Sequence, residues 1–110
     1  CIRDRCVGAA TGWKGFDAKE ALLVGERVIN LQRIFNLRQG FDPKRDFEDI
    51  GKRLLEAPPD GVAKGKPLGP HLNKMIKEYY RLMGWDEKNG KPLSKTLKKV
   101  GMEDFERDIG

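Results

Sequence analysis

The sequence has few groups suited to covalent or metal chemistry. It holds two cysteines, Cys1 and Cys6, and one histidine, His71. Two cysteines cannot make a disulfide framework. A spacing of five on a helix sets them about 140° apart, which argues against a bond between them. No second Cys pair or histidine cluster completes a metal site. A lone helical cysteine is more often a small buried hydrophobe than a nucleophile or cluster ligand. The loop GVAKGKPLG lacks the Gly-Lys-Ser/Thr ending of a phosphate loop. His71, beside Pro70, reads as an exposed helix-start residue. No apolar run approaches the roughly 18 residues of a membrane span, and no signal-peptide pattern is present. The expected location is therefore the cytoplasm. No apolar/polar alternation is long enough for a strand. The sequence thus offers no catalytic, cofactor-binding or metal-binding residue set of its own.

Charge is abundant. Charged residues make up 35% of the chain, the net charge is +5 and the pI is near 9.3. That favours solubility and weak attraction to anions without naming a partner. At 110 residues, 38% of them hydrophobic, the chain suits one domain spanning 1–110. It begins with Cys rather than Met, and its first helix has no cap, so it is expected to be a fragment of a longer protein.

Helix signals dominate. Asp17 to Phe41 reads as one long helix, with Asp17 as N-cap, Glu20 completing a capping-box pattern, and Gly40 ending it. Its length is roughly 33 Å. Ala21, Val24, Val28, Leu31 and Phe35 alternate at spacings of three and four and form the expected core stripe. Leu23, Ile34 and Leu37 extend it, while Leu22 and Ile29 lie on the far side. A helix apolar on more than one face is expected to be buried between neighbours. Before it, Cys1 to Thr11 is a helix with Ile2, Cys6, Ala9 and Ala10 on one face. After it come a brief helical turn begun by Asp42-Pro43, an irregular Gly/Pro-rich loop through Pro70, and a helix from His71 to Met83. Leu72, Met75, Ile76, Tyr79, Leu82 and Met83 form the stripe of that helix. Asn89-Gly90 marks a tight turn. Ser94 is the expected cap of a last helix, Lys95 to Val100, and the acidic tail EDFERDIG is expected to fray. Four helices end in Gly followed by a large apolar residue: Gly12-Trp13, Gly40-Phe41, Gly84-Trp85 and Gly101-Met102. This is the Schellman pattern, and Tyr80 with Trp85 or Leu97 with Met102 would be its contacts. The fold class predicted is all-α, a compact multihelical domain around one long central helix.

Two polar sets invite a function. Glu26, Asn30 and Arg33 share a face of the long helix, which is either a solvated stripe with a helical ion pair or a face turned to another domain. The stretch Lys66 to Lys99 has nine basic and three acidic residues. Lys74, Lys77 and Arg81 could meet phosphates, with Tyr79, Tyr80 and Trp85 as stacking groups. Spacing argues against nucleic acid, because Tyr79 falls on the apolar stripe. The alternative it leaves is a free-standing basic module for nucleic acid or an acidic redox partner.

A resemblance adds more than these sets do. The run AATGW, a short connector and then GERVINLQRIFNLRQGFDPKRD are similar to the C-terminal region of the tungsten-containing aldehyde ferredoxin oxidoreductase family. Pro58-Pro59-Asp60-Gly61 with Gly65, EYYRLMGWDEKNGKP and LKKVGM continue the match over nearly the whole chain. Two positions depart from the pattern: Gly51 stands where Pro is common, and Leu93 where a capping Thr is. The resemblance implies a parent enzyme that oxidises aldehydes to carboxylic acids. Such a parent carries a tungsten (or molybdenum) bis-pterin centre and passes electrons through a 4Fe-4S cluster to ferredoxin. It implies that the cofactor-binding motifs and cluster cysteines precede this stretch, so neither Cys1 nor Cys6 takes a ligand role. This piece would then pack on the upstream cofactor-binding domains of the same chain and help enclose the site. Isolated, it would be inactive. Arg27, Asn30, Arg33, Asn36 and Arg38, polar residues on an otherwise buried helix, are the expected interdomain contributors.

Overall fold

The computed structural model describes residues 2–109. Helices α1 (Ile2–Thr11) and α2 (Ala18–Arg38) are followed by two single turns, α3 (Arg45–Glu48) and α4 (Lys52–Leu55). Then come α5 (Gly69–Met83), α6 (Ser94–Lys99) and a 3₁₀ helix, Glu103–Asp108. Among the described residues there is no strand, only an isolated antiparallel bridge between Trp85 and Pro92. The architecture is all-α and built around one long helix, as the sequence predicts.

The ends of α2 form as read. Asp17 is extended and its Oδ1 accepts the Glu20 N–H at 2.9 Å. At the other end the Gly40 N–H donates to the Leu37 carbonyl and the Phe41 N–H to the Asn36 carbonyl, both at 3.0 Å. These are the two bonds of a Schellman motif. Its 6→1 bond recurs at 2.8 Å from Trp85 N–H to the Tyr80 carbonyl, and at 2.8 Å from Met102 N–H to the Leu97 carbonyl. α1 closes differently. The Gly12 N–H reaches the Gly8 carbonyl at 2.9 Å, and the Trp13 N–H is taken by Thr11 Oγ1 at 3.2 Å. That is the simpler single-bond closure. α5 starts two residues before His71, at Gly69, with Pro70 tolerated in its first turn. Ser94 is not a cap: Leu93 precedes α6 without a side-chain cap bond, and the Ser94 hydroxyl donates to Glu106.

The core lies against the carboxy-terminal half of α2. Ile34, Leu97, Val100, Met102 and Ile109 are buried together, with Leu23, Leu37 and Phe105 packed on them. Three expectations are corrected here. The tail does not fray; it forms the 3₁₀ turn and returns Ile109 to the core, because Ile109 and Phe105 give that stretch apolar groups to bury. Secondly, α2 does not use its expected stripe. Val28, Leu31 and Phe35 stay exposed, and Asn30, Arg33 and Ile34 face inward instead. Polar partners wait for Asn30 and Arg33 on that side, so burying them leaves nothing unsatisfied. On α5, likewise, Tyr80 is buried while Met75, Tyr79 and Leu82 of the predicted stripe are exposed. Thirdly, α1 has no buried residue, and Ile2 and Cys6 are both exposed. The radius of gyration is 17.7 Å and the extents are 49 × 39 × 21 Å. A self-contained 100-residue domain has a radius of about 13 Å.

Candidate functional site

The most organised polar constellation sits where the middle of α2 meets α3, the end of α5 and the loop after it. The Gly84-Trp85 corner turns the chain so that Trp85 points back at α2. The Trp85 Nε1–H donates to Asn30 Oδ1 at 2.9 Å, and Asn30 Nδ2 donates to the Glu26 carbonyl at 2.8 Å. One helical turn on, Arg33 Nε donates to the Gly90 carbonyl at 2.9 Å, and Nη2 pairs with Asp46 Oδ2 at 2.7 Å. The Tyr80 hydroxyl also donates to Asp46 Oδ2. The guanidinium lies 4.9 Å from the Trp85 ring centre and 5.6 Å from those of Tyr80 and Phe41. A buried arginine thus has a carboxylate, a carbonyl and three aromatic faces, which compensate its lost hydration.

The loop itself is held by Asp86. Its Oδ1 accepts the Lys88 and Asn89 N–H groups at 2.8 and 2.9 Å. Those backbone bonds, Asn89 first, hold its carboxyl below the usual range. Tyr80 moves the opposite way. Burial first, then its bond to Asp46 and that carboxylate's charge, pushes its hydroxyl from 10.0 up to about 12. Such a phenol holds its proton at neutral pH and is a poor acid or base there.

Above these residues α2 and α5 flank an open groove of about 440 Å³. Ile29, Gln32 and Asn36 form one wall, Leu72, Met75 and Tyr79 the other, and Arg33, Tyr80 and Trp85 the floor. Its size falls in the small-molecule range of about 300–1,000 Å³, but the acidic and basic groups at its base are committed to each other. The arrangement can hold a shape and exclude water; it has no titratable pair poised to move a proton.

Of the five polar residues read as interdomain contributors, four make side-chain contacts within this chain, and two of these, Asn30 and Arg33, are buried. Asn30 and Arg33 form the constellation, Arg27 Nε donates to the Val100 carbonyl at 2.8 Å, and Arg38 pairs with Asp108 at 3.5 Å. Only Asn36, on the groove wall, lacks such a contact. Glu26 makes no helical ion pair; it binds Lys99 of α6 at 2.8 Å. Of the stacking groups, Tyr80 and Trp85 are buried. Tyr79 is set edge-on to Trp85 at 5.7 Å. Lys74, Lys77 and Arg81 remain exposed, Arg81 beside Glu78, but two of the three aromatics that stacking would need, Tyr80 and Trp85, are inside the fold. His71 is exposed in the first turn of α5, as read.

Sequence reading missed Asp46 and the Gly90 carbonyl. Asp46 lies among Asp42, Glu48 and Asp49, and no local pattern sets it apart as the partner of Arg33.

Among the described residues no three His, Cys, Asp or Glu side chains could hold a metal ion. Cys6 is free and exposed; Cys1 lies outside the described residues. A four-iron cluster takes thiolates in fours, so the described residues do not fit one. No described helix is long and apolar enough to cross a membrane.

Residues 4–102 match the family model described as aldehyde ferredoxin oxidoreductase, domains 2 and 3. The chain is 42% identical over 100 residues to the tungsten-containing aldehyde ferredoxin oxidoreductase of Pyrococcus abyssi, covering 90% of this chain and 16% of that protein. It is 41% identical to the Pyrococcus furiosus protein of the same name over the same shares. It is also 35% identical over 91 residues to an aliphatic sulfonate oxidoreductase, WOR-like subunit, of Pyrococcus furiosus, covering 78% of this chain and 14% of that one. The chain therefore spans about one sixth of the length of the first two relatives. No solved structure matches it. Its helix ends, its Trp85 corner and nearly all of its length lie within that family's pattern, and the chain belongs to the aldehyde ferredoxin oxidoreductase family.

Proposed function

We propose that this chain is one helical domain, the carboxy-terminal part of a tungstopterin aldehyde oxidoreductase, and that it packs on and helps enclose the cofactor site. The observation that carries this is the mismatch between its two kinds of surface. Among the described residues every fully buried side-chain polar atom has a partner. Yet Val28, Leu31 and Phe35 on α2, and Met75, Tyr79 and Leu82 on α5, are exposed. Large exposed apolar patches mark contact surfaces. A fold with satisfied polar groups and unsatisfied apolar faces suits a piece that is covered by the rest of its protein.

In that setting the parent oxidises an aldehyde to a carboxylic acid in the cytoplasm, with electrons leaving through an iron–sulfur cluster to ferredoxin. The bound tungsten centre supplies the redox chemistry. This domain supplies packing, positioning and exclusion of water, which contribute to rate without chemistry of their own. Its residues hold neither cofactor, and the isolated chain is inactive. The decisive experiment removes residues 1–110 from the full-length parent and measures bound tungsten and iron. Loss of tungsten is the expected result; unchanged metal content in a folded remainder would overturn the reading.

A further inference from the structure

We infer that the exposed stripe on α2 is the seat of an amphipathic α-helix from the part of the parent chain outside these residues. The inference rests on the reading above and says which surface does the packing and what packs there. Ala21, Val24, Val28, Leu31 and Phe35 follow each other at 3, 4, 3 and 4 residues. That is the seam spacing by which one helix receives another. The face that a helix lays on a broad core repeats at similar intervals but is wider; a stripe confined to these positions is the narrower helix–helix seam.

The chain's own core does not use this face. It turns Asn30, Arg33 and Ile34 inward and leaves Val28 49%, Leu31 48% and Phe35 60% exposed. No charged residue interrupts the stripe. Arg27 and Arg38, which border it, are engaged with the Val100 carbonyl and Asp108, so a docking helix need not bury an unpaired charge. Gly25 lies beside Ala21 on the amino-terminal edge, and a Cβ there would meet nothing within 4 Å. Small residues let backbones approach, so the partner helix comes closest at that end and rides up over Phe35 at the other. The relatives are about six times as long as this chain, so the parent has ample sequence to supply a helix.

The test uses the full-length parent protein with the photoreactive residue p-benzoylphenylalanine in place of Phe35 or, separately, Leu31. The Phe35 variant keeps an aromatic ring and is the safer for folding. Lys52, exposed on α4, is the control position. The expected result is an intramolecular link from both positions to peptides outside these 110 residues, at sites three or four residues apart in the acceptor. A product of doubled mass would give the stripe to a second copy and overturn the inference. Links confined to these residues, or a yield no higher than at Lys52, would overturn it too. Metal content after removal of the domain separates the two readings. If tungsten is lost but the links miss the stripe, only this surface assignment fails. If tungsten stays, the packing reading fails with it.

Discussion

At the scale of single residues, the buried polar contacts of α2 set what the fold tolerates. Asn30 is 1% exposed, and its Oδ1 accepts the Trp85 indole N–H. Asn30→Ala strands that donor and should cost about 1–3 kcal/mol, the penalty for an unsatisfied buried group, read as a lower denaturant midpoint. Gly84 and Gly40 make a sharper comparison. Both have positive φ, +67° and +82°. Alanine in that region costs about 1–2 kcal/mol wherever it sits. At Gly40 a Cβ meets nothing within 4 Å, but at Gly84 it would fall 2.2 Å from Thr96 Oγ1. That hydroxyl is bonded to the Gly84 carbonyl at 2.6 Å. Gly84→Ala should therefore lower the melting temperature clearly more than Gly40→Ala; equal effects would mean the corner yields easily. Tyr80 adds a pH dependence. Its hydroxyl is raised from 10.0 to about 12 in the fold, so above pH 10 the unfolded chain gives up a proton that the folded chain keeps. Stability should hold below pH 10 and fall between 10 and 12. Unfolding titrations of wild type and Tyr80→Phe check this, because the fall should shrink in the variant.

Among the elements, the 3₁₀ tail and α6 do more for the core than their length suggests. Ile109 is buried, its carbonyl accepts from Lys91 Nζ at 2.8 Å, and Asp108 meets Arg38. Ile109→Ala should destabilise the fold by about 2 kcal/mol, the low end for a buried Ile at a chain end, checked by urea unfolding. That tail was not legible in the sequence, since EDFERDIG is mostly charged and its two apolar residues show no period by themselves. Helix ends were legible. Asp17, Gly40, Gly84 and Gly101 act through neighbours within a few residues, and those neighbours are in the string. Which face of α2 turns inward was not. The apolar stripe is the strongest local signal, but the face chosen depends on Trp85, Gly90 and Val100, residues 55 to 73 positions away. The polar constellation was half legible: Asn30 and Arg33 stand out on an apolar helix, but their partners do not.

For the whole molecule, the exposed apolar faces and the broad, thin shape belong together. Phe35→Ser should leave the stability of the 110-residue chain within about 0.5 kcal/mol, as for other exposed sites. In the parent the same change should lower the melting temperature, if a helix covers it. Equal, small effects in both would argue that the face is open in the assembled protein. Order of synthesis gives one of the contacts a further consequence. Arg27 leaves the ribosome 73 residues before Val100, and Arg33 leaves 57 before Gly90. At about 5–20 residues per second the wait is roughly 3–15 s. Through that interval Arg27 and Arg33 lack these backbone acceptors, and of the two only Arg33 gains an early partner, Asp46. The inward face of α2 is therefore fixed only after the stretch from Gly90 to Val100 has been made.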